Sequence, residues 1–433
     1  MADIRKLTLE LLRSYEEEGR YVNLLLSSPR LRGLGREEIS MITALLYTTV
    51  EHKLTYDYFI SAFSARPIAD IDPYVRDLLR IGLCQIVHMD SIPDFAAVNE
   101  TVRLARHKGE SGFINAVLRR AVKEKDSLPY PDKNKNYARF LSIYYSIPLN
   151  TVKLFSRIFG EECEDYIKAV TKERPLSLTV NDRRISRDLF IKKHSSLGAY
   201  PSENTSLGVM ITEGIYPAGI DGYCEGEFFV QDESSRIAVE ALGVAFGDTV
   251  IDVCAAPGGK SFLAAIMAGD EGKVYSFDIH ESKLSLIRSG TERLGLNIDA
   301  DANDAVTPRQ ELFGLADKVI CDVPCSGLGV FSKKPDLRYK DLDSASDLPA
   351  LQYEILSRSA EYLKVGGCIL YSTCTVVPEE NAAVTDRFIA EYPEFSYESI
   401  RVGGIYAPDG KITLLPHKHN TDGFYIAKLR KNK

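Results

Sequence analysis

The sequence predicts a multidomain α and α/β protein, in which an all-helical N-terminal bundle and a small α/β adapter precede a mainly parallel, doubly wound sheet. Three observations carry this. Apolar residues recur at helical spacing through roughly the first 140 positions. The period then changes to strand-like alternation at Leu176-Ser177-Leu178-Thr179-Val180. From Gln231 onward, short apolar runs alternate with amphipathic segments, as expected of parallel strands joined by crossover helices. At 433 residues the chain exceeds one ordinary domain.

Within the bundle, Leu7, Leu11, Leu12 and Tyr15 fall on one helical face, as do Ile42, Leu45, Leu46 and Val50. Asp72-Pro73 opens another helix, with Asp72 as cap and proline at the first helical position. Asp94 is placed to cap the helix that begins near Ala96. A break at Lys108-Gly109-Glu110-Ser111-Gly112 precedes a helix from Gly112 to Arg120. Residues 128–136 are polar with two prolines and are read as a linker. Helices are expected over 137–146 and 149–171, then a strand at 176–181, a helix at 188–196, and short strands at 208–212 and 227–231. Beyond these, strands are expected at 248–253, 273–278, 318–322, 367–373 and 423–430, with helices over 259–267, 281–294 and 351–362. In such sheets ligands bind beyond the carboxyl ends of the strands.

Hydrophobic content of 45% and charged content of 26% suit a soluble globular protein. No apolar run reaches the 18 or so residues of a membrane span. The opening Met1-Ala2-Asp3-Ile4-Arg5-Lys6 lacks a secretory signal's apolar core. Six of the eight cysteines fall from Cys224 onward in no disulfide-like framework, so a cytoplasmic location is expected. A monomer is the default expectation. The net charge of −8 argues against a nucleic-acid partner, yet residues 103–139 hold ten Lys or Arg against four acids. That run could form a footprint for phosphates or simply a solvated helix surface.

The chemistry-bearing motifs all follow expected strands. Asp252-Val253-Cys254-Ala255-Ala256-Pro257-Gly258-Gly259-Lys260 is a glycine-bearing strand-to-helix loop, although it matches neither G-x-G-x-x-G nor the P-loop. Asp278, ending the next strand, can accept the ribose hydroxyls of a nucleoside cofactor, and Asp304 can meet the adenine edge. Asp322-Val323-Pro324-Cys325-Ser326-Gly327 and Tyr371-Ser372-Thr373-Cys374-Thr375 each bring a thiol past a strand end. A thiolate adding at C6 of a cytosine makes C5 nucleophilic if a group such as Asp322 serves N3. Either thiol could attack. Cys84, Cys163, Cys321 and Cys368 read as buried filler. Zinc is set aside, because Cys321-x-x-x-Cys325 lacks a second ligand pair nearby.

These motifs, with Gln231-Asp232-Glu233-Ser234-Ser235 and Thr421-Asp422-Gly423-Phe424-Tyr425, resemble the RNA cytosine-C5 methyltransferases of the Nol/Nop/Sun type and cover residues 229–430 in order. Ile92-Pro93-Asp94-Phe95-Ala96-Ala97-Val98-Asn99-Glu100 and Gly112-Phe113-Ile114-Asn115-Ala116-Val117-Leu118-Arg119-Arg120 look like a NusB-like RNA-binding domain. The resemblance implies a NusB-like bundle over 1–135, an adapter with an RRM-like part over 136–228, and a Rossmann-like class I methyltransferase sheet over 229–433. It implies S-adenosyl-L-methionine held by Cys254, Ala255, Ala256, Pro257, Gly258, Gly259, Lys260, Asp278, Asp304 and Asp322, with no metal. Cys374 is implied as the nucleophile, Cys325 as the residue that assists adduct breakdown, and Asp322 as their catalytic partner. The implied substrate is 16S ribosomal RNA, at the cytosine the family labels 967. The alternatives are another RNA such as tRNA, or a non-catalytic NusB-like RNA-binding scaffold. Lys333–Arg338 resembles a substrate-side segment, and Tyr339, which follows it, stands where a tryptophan is usual. The chain has no tryptophan, so stacking on RNA bases would fall to Tyr or Phe.

Overall fold

The computed structural model describes residues 3–26, 28–214 and 216–433. Met1 and Ala2, the first residues of the stretch expected to lack a secretory signal, lie outside the described residues. Contacts group the chain into two compact units. One comprises Met1–Thr171 with Lys333–Lys340, the other Lys172–Ser332 with Asp341–Lys433.

The first unit is helical: α1 (Ile4–Glu18), α2 (Val22–Leu25), α3 (Arg36–Glu51), α4 (Lys53–Ser64), α5 (Pro73–His88), α6 (Asp94–Val102), α7 (Lys108–Lys123), α8 (Tyr137–Tyr144), α9 (Leu149–Phe159) and α10 (Cys163–Thr171). Leu12, Leu46, Tyr56, Leu78 and Leu118 are fully buried at its centre. Asp72 caps α5 as expected, accepting from the Tyr74 and Val75 amides at 3.0 and 3.2 Å. Three local expectations are corrected. Asp94 lies inside the first turn of α6 rather than capping it, and its carboxylate meets Lys125 instead. The presumed break at 108–112 is the start of α7, because the His107 ring accepts from the Glu110 amide and starts the helix earlier. The helix expected over 149–171 divides at Gly160, whose φ of +56° ends α9.

The division of contacts falls at Thr171 and not at the proline-bearing stretch 128–136. Tyr130 in that stretch packs edge-on against Phe59 at 5.0 Å and at a tilt against Tyr144 at 5.1 Å, so α8 to α10 gather with the bundle. Lys333–Lys340 also belongs here. Arg338 is nearly fully buried; its guanidinium donates to the Glu51 carboxylate at 2.7 Å and to the Glu51 and Tyr145 carbonyls. Tyr339 donates to the Glu51 carbonyl at 2.8 Å, and its ring lies under Lys53. This tyrosine is therefore occupied within the helical unit rather than offered as a stacking platform. Glu51→Ala should cost the helical unit about 3 kcal/mol, because it strands a buried guanidinium. A urea titration followed by the unit's helical signal measures this, and an unmoved midpoint would contradict it.

The second unit opens with β1 (Leu176–Val180), α11 (Arg187–Lys193), β2 (Ala199–Pro201), β3 (Gly208–Ile211) and β4 (Phe228–Val230), which form an antiparallel sheet of order β2-β3-β1-β4. The larger sheet follows: α12 (Glu233–Leu242), β5 (Thr249–Asp252), α13 (Gly259–Ala268), β6 (Lys273–Asp278), α14 (Glu281–Leu294), β7 (Ile298–Ala302), β8 (Ala316–Asp322), α15 (Leu348–Ser359) and β9 (Leu363–Thr373). The chain ends with α16 (Ala382–Glu391), β10 (Phe395–Tyr397), β11 (Ile400–Val402), β12 (Ile405–Ala407), β13 (Lys411–Leu414), α17 (Pro416–His419) and β14 (Phe424–Lys431). The sheet order is β10-β14-β9-β8-β5-β6-β7, with β13 beside β14. Its β7-β6-β5-β8-β9 portion is parallel, while β14 runs antiparallel to β9. No described helix is long and apolar enough to cross a membrane.

Candidate active site

Strand order reverses between β5 and β8, which opens a crevice at their carboxyl ends. Register sets what meets there. Asp322, the last residue of β8, pairs with Ser372 of β9, so the turns bearing Cys325 and Cys374 leave the sheet at one level. Asp252 ends β5, Asp278 ends β6, and Asp304 follows β7.

Gly258 takes a φ of +113° before α13, and a Cβ on it would sit 2.5 Å from the Phe262 ring. The residue is glycine for that reason. No side chain caps α13, so its first-turn amides face the loop. The Asp278 carboxylate accepts from the Ala256 amide at 3.3 Å and the His280 amide at 2.9 Å, fixing the strand end against the loop. Asp304 is exposed and accepts from the Val306 amide. Gln231 accepts from Thr179 and donates to the Gly259 carbonyl at 3.0 Å, tying the small sheet to the loop. A tight glycine turn, uncapped helix amides and a fixed strand-end carboxylate suit a nucleoside cofactor with an anionic group.

Asp252 lies beneath the loop, accepting from Ser261, which in turn accepts from Ser276. Burial pushes its carboxyl up to about 7 from the ordinary 3.8, against the pull of Ser261 and Lys260. The folded chain thus binds this proton between pH 3.8 and about 7 while the unfolded chain releases it, so stability falls as pH rises through that window. Asp252→Asn should flatten this decline. Thermal midpoints from pH 4 to 8 test it, and parallel curves for parent and variant would rule it out.

At the crevice, Asp322 Oδ1 accepts from Ser372 Oγ at 2.6 Å and Oδ2 from Lys260 Nζ at 2.6 Å. Burial disfavours the Lys260 ammonium, but the Asp322 carboxylate outweighs it and raises its pKa above the ordinary 10.5. The Cys325 and Cys374 sulfurs are 2.8 Å apart, and the Cys374 amide donates to Cys325 Sγ at 3.2 Å. Hydrogen bonding to the Cys374 sulfur, then burial, pushes the Cys325 thiol well above its ordinary range. All eight cysteines are thiols rather than disulfide partners. Cys84, Cys163, Cys321 and Cys368 are buried, as filler residues would be.

The structure therefore gathers Asp322, Cys325, Cys374 and Lys260, with Asp278 beside the loop at Ala256. The Lys260–Asp322 ion pair and the Ser372 contact were not anticipated. They join positions 62 and 50 residues apart, which no local spacing signals. In the basic run, Arg103 pairs with Glu100, Arg106 with Glu110 and Asp72, Arg120 with Glu124, and Lys125 with Asp94. Of these partners Glu100, Asp72 and Asp94 lie outside the run and narrow its positive surplus, whereas Glu110 and Glu124 are already counted within it.

A mixed sheet of this order, parallel from β7 to β9, with a glycine loop after β5 and an acid ending β6, is a Rossmann-like methyltransferase fold. Residues 239–430 match the family model described as 16S rRNA methyltransferase RsmB/F, and residues 2–123 match the NusB family. The chain is 34% identical to the Probable ribosomal RNA small subunit methyltransferase B of Bacillus subtilis (strain 168), over 99% of this chain and 98% of that one. It is 28% identical to the Ribosomal RNA small subunit methyltransferase B of Klebsiella pneumoniae (strain 342), over 100% and 99% respectively. The crystal structure of PH0851 superimposes with a TM-score of 0.82 at 25% identity, covering 99% of this chain and 98% of that one. The chain belongs to the RsmB/F methyltransferase family, which is S-adenosylmethionine-dependent, and carries a NusB domain.

Proposed function

We propose that this protein methylates C5 of a cytosine in 16S ribosomal RNA, at the position the family labels 967, through a covalent adduct with Cys374. One observation carries the chemistry: two thiols 2.8 Å apart share a crevice with a carboxylate held by a lysine. The RNA assignment rests on the relatives' names and the NusB match.

The Cys374 thiol passes its proton to the Asp322 carboxylate as Sγ bonds to cytosine C6, and the electrons of the C5–C6 double bond move into the ring. The Asp322 carboxyl, protonated by that transfer, then donates to N3 as the ring gains negative charge, with the Lys260 ammonium 2.6 Å away to offset that charge. S-adenosyl-L-methionine, which the 254–260 loop, Asp278, Asp304 and Asp322 would hold, supplies the methyl group. Once C5 carries it, the C5 proton passes to solvent and the double bond reforms as the sulfur–C6 bond breaks. Cys325 retains its proton beside the attacking sulfur and gives it to the departing Cys374 sulfur, assisting release. The base must leave its stack to reach these thiols. We further propose a cytoplasmic, monomeric enzyme, with 1–135, 136–228 and 229–433 as its RNA-binding, adapter and catalytic regions.

Incubation with a 16S RNA fragment and labelled cofactor should place one methyl on C5 of the target cytosine. Incorporation into tRNA alone would assign a different RNA. An absence of incorporation despite cofactor binding would favour a scaffold.

A further inference from the structure

Two consecutive residues downstream of the thiol motifs bind the turns that carry the thiols. Glu380 is 3% exposed, and its Oε2 accepts from the Ser326 amide at 2.9 Å and from Gln352 Nε2 at 3.0 Å. Gln352, fully buried on α15, also donates to the Pro324 carbonyl at 2.9 Å. The Pro324 carbonyl and Ser326 amide belong to the two peptide groups flanking Cys325, so each side of that residue is anchored by a buried side chain. Asn381, 2% exposed, makes the matching contacts around Cys374. Its Oδ1 accepts from Thr373 Oγ1 at 2.6 Å, and its Nδ2 donates to the Thr375 carbonyl at 3.0 Å. Ser326 Oγ and Thr375 Oγ1, 2.8 Å apart, join the two turns directly.

We infer that Glu380, with Gln352, is a positioning residue for Cys325, and that Asn381 is one for Cys374. The two residues then govern different steps, Asn381 formation of the base adduct and Glu380 its release. Neither touches the base in this reading; Glu380 and Gln352 act through the backbone they hold, and Asn381 through the Thr373 hydroxyl and the Thr375 carbonyl. Leaving buried donors or acceptors unpaired lets the turn move, and a displacement of about 1 Å from productive geometry costs on the order of a hundredfold in rate.

The inference rests on the covalent-adduct reading above. In the full-length protein, with a 16S RNA fragment holding the target cytosine and S-adenosylmethionine, two quantities are followed: methyl incorporated in a single turnover and denaturant-stable protein–RNA adduct. Glu380→Ala is expected to methylate within about threefold of the parent while its adduct rises about tenfold or more. Glu380→Gln should return the adduct to the parent level, since one amide oxygen can accept both bonds now made to Oε2. Asn381→Ala should slow adduct formation and methylation together by about tenfold, with no accumulation. If Glu380→Ala does not fold, Gln352→Leu removes the other anchor of the same turn and should show the same accumulation. Parallel loss of both quantities in the Glu380 (or Gln352) and Asn381 variants would overturn the inference. So would a parent-like adduct level in Glu380→Ala and Gln352→Leu while Cys325→Ala accumulates adduct. If Cys325→Ala accumulates none, the covalent-adduct reading itself fails and takes this inference with it.

Discussion

Asp322→Asn is expected to lower methyl transfer by about a thousandfold, the scale of removing a preorganised group from developing charge. The same change should destabilise the catalytic unit by about 3 kcal/mol, because it leaves the Lys260 ammonium without its counter-charge in a largely buried position. The two effects separate in a double variant. Adding Lys260→Met to Asp322→Asn removes the stranded charge, so stability should recover while activity stays lost. Urea titration and single-turnover methylation of the two single variants and the double would show this. If activity recovered together with stability, the ion pair would be a structural brace and Asp322 would have no role at the base.

Cys374→Ala is expected to abolish methylation, by about ten-thousandfold or more, as removal of a covalent nucleophile does elsewhere. Cys325→Ala should behave differently. Its first turnover should reach the adduct, but the sulfur should then leave slowly for want of the neighbouring proton. Adduct should therefore accumulate with the methyl group already in place. The short contact between the two sulfurs, together with burial, holds the proton on Cys325. A Cys374→Ala variant with parent-like turnover would reverse the roles assigned to the two thiols.

Much of this site was legible in the chain because the apolar runs of β8 and β9 end abruptly in small polar motifs. An apolar strand followed by Pro-Cys-Ser or Thr-Cys-Thr places a thiol beyond the core, where filler cysteines do not sit. The same logic read Asp278 from the end of β6. What the chain did not reveal is held by contacts distant in sequence. Glu380 reaches Ser326 across 54 positions, and Gln352 reaches Pro324 across 28, so neither pairing leaves a periodic trace. Short strands were hidden for another reason. The hairpin of β11 and β12 has three residues on each side, too few for an alternation to declare itself. In the bundle, glycine misled in both directions: Gly109 and Gly112 lie inside α7, whereas Gly160 does break a helix because its φ is positive. Tyr339 stands where the resemblance expects a tryptophan, and its neighbours in sequence do not show that its hydroxyl is committed to the Glu51 carbonyl.

The division of labour between the thiols is tested most directly by identifying the residue that carries the trapped nucleotide. Cys325→Ala protein would be mixed with the 16S RNA fragment and S-adenosylmethionine, denatured, digested with protease and nuclease, and analysed by mass spectrometry. The expected result is a methylated cytosine on the peptide holding Cys374, absent when Cys374 is also replaced by alanine. A nucleotide attached at any other residue, or an adduct that survives loss of Cys374, would contradict the mechanism proposed for this site.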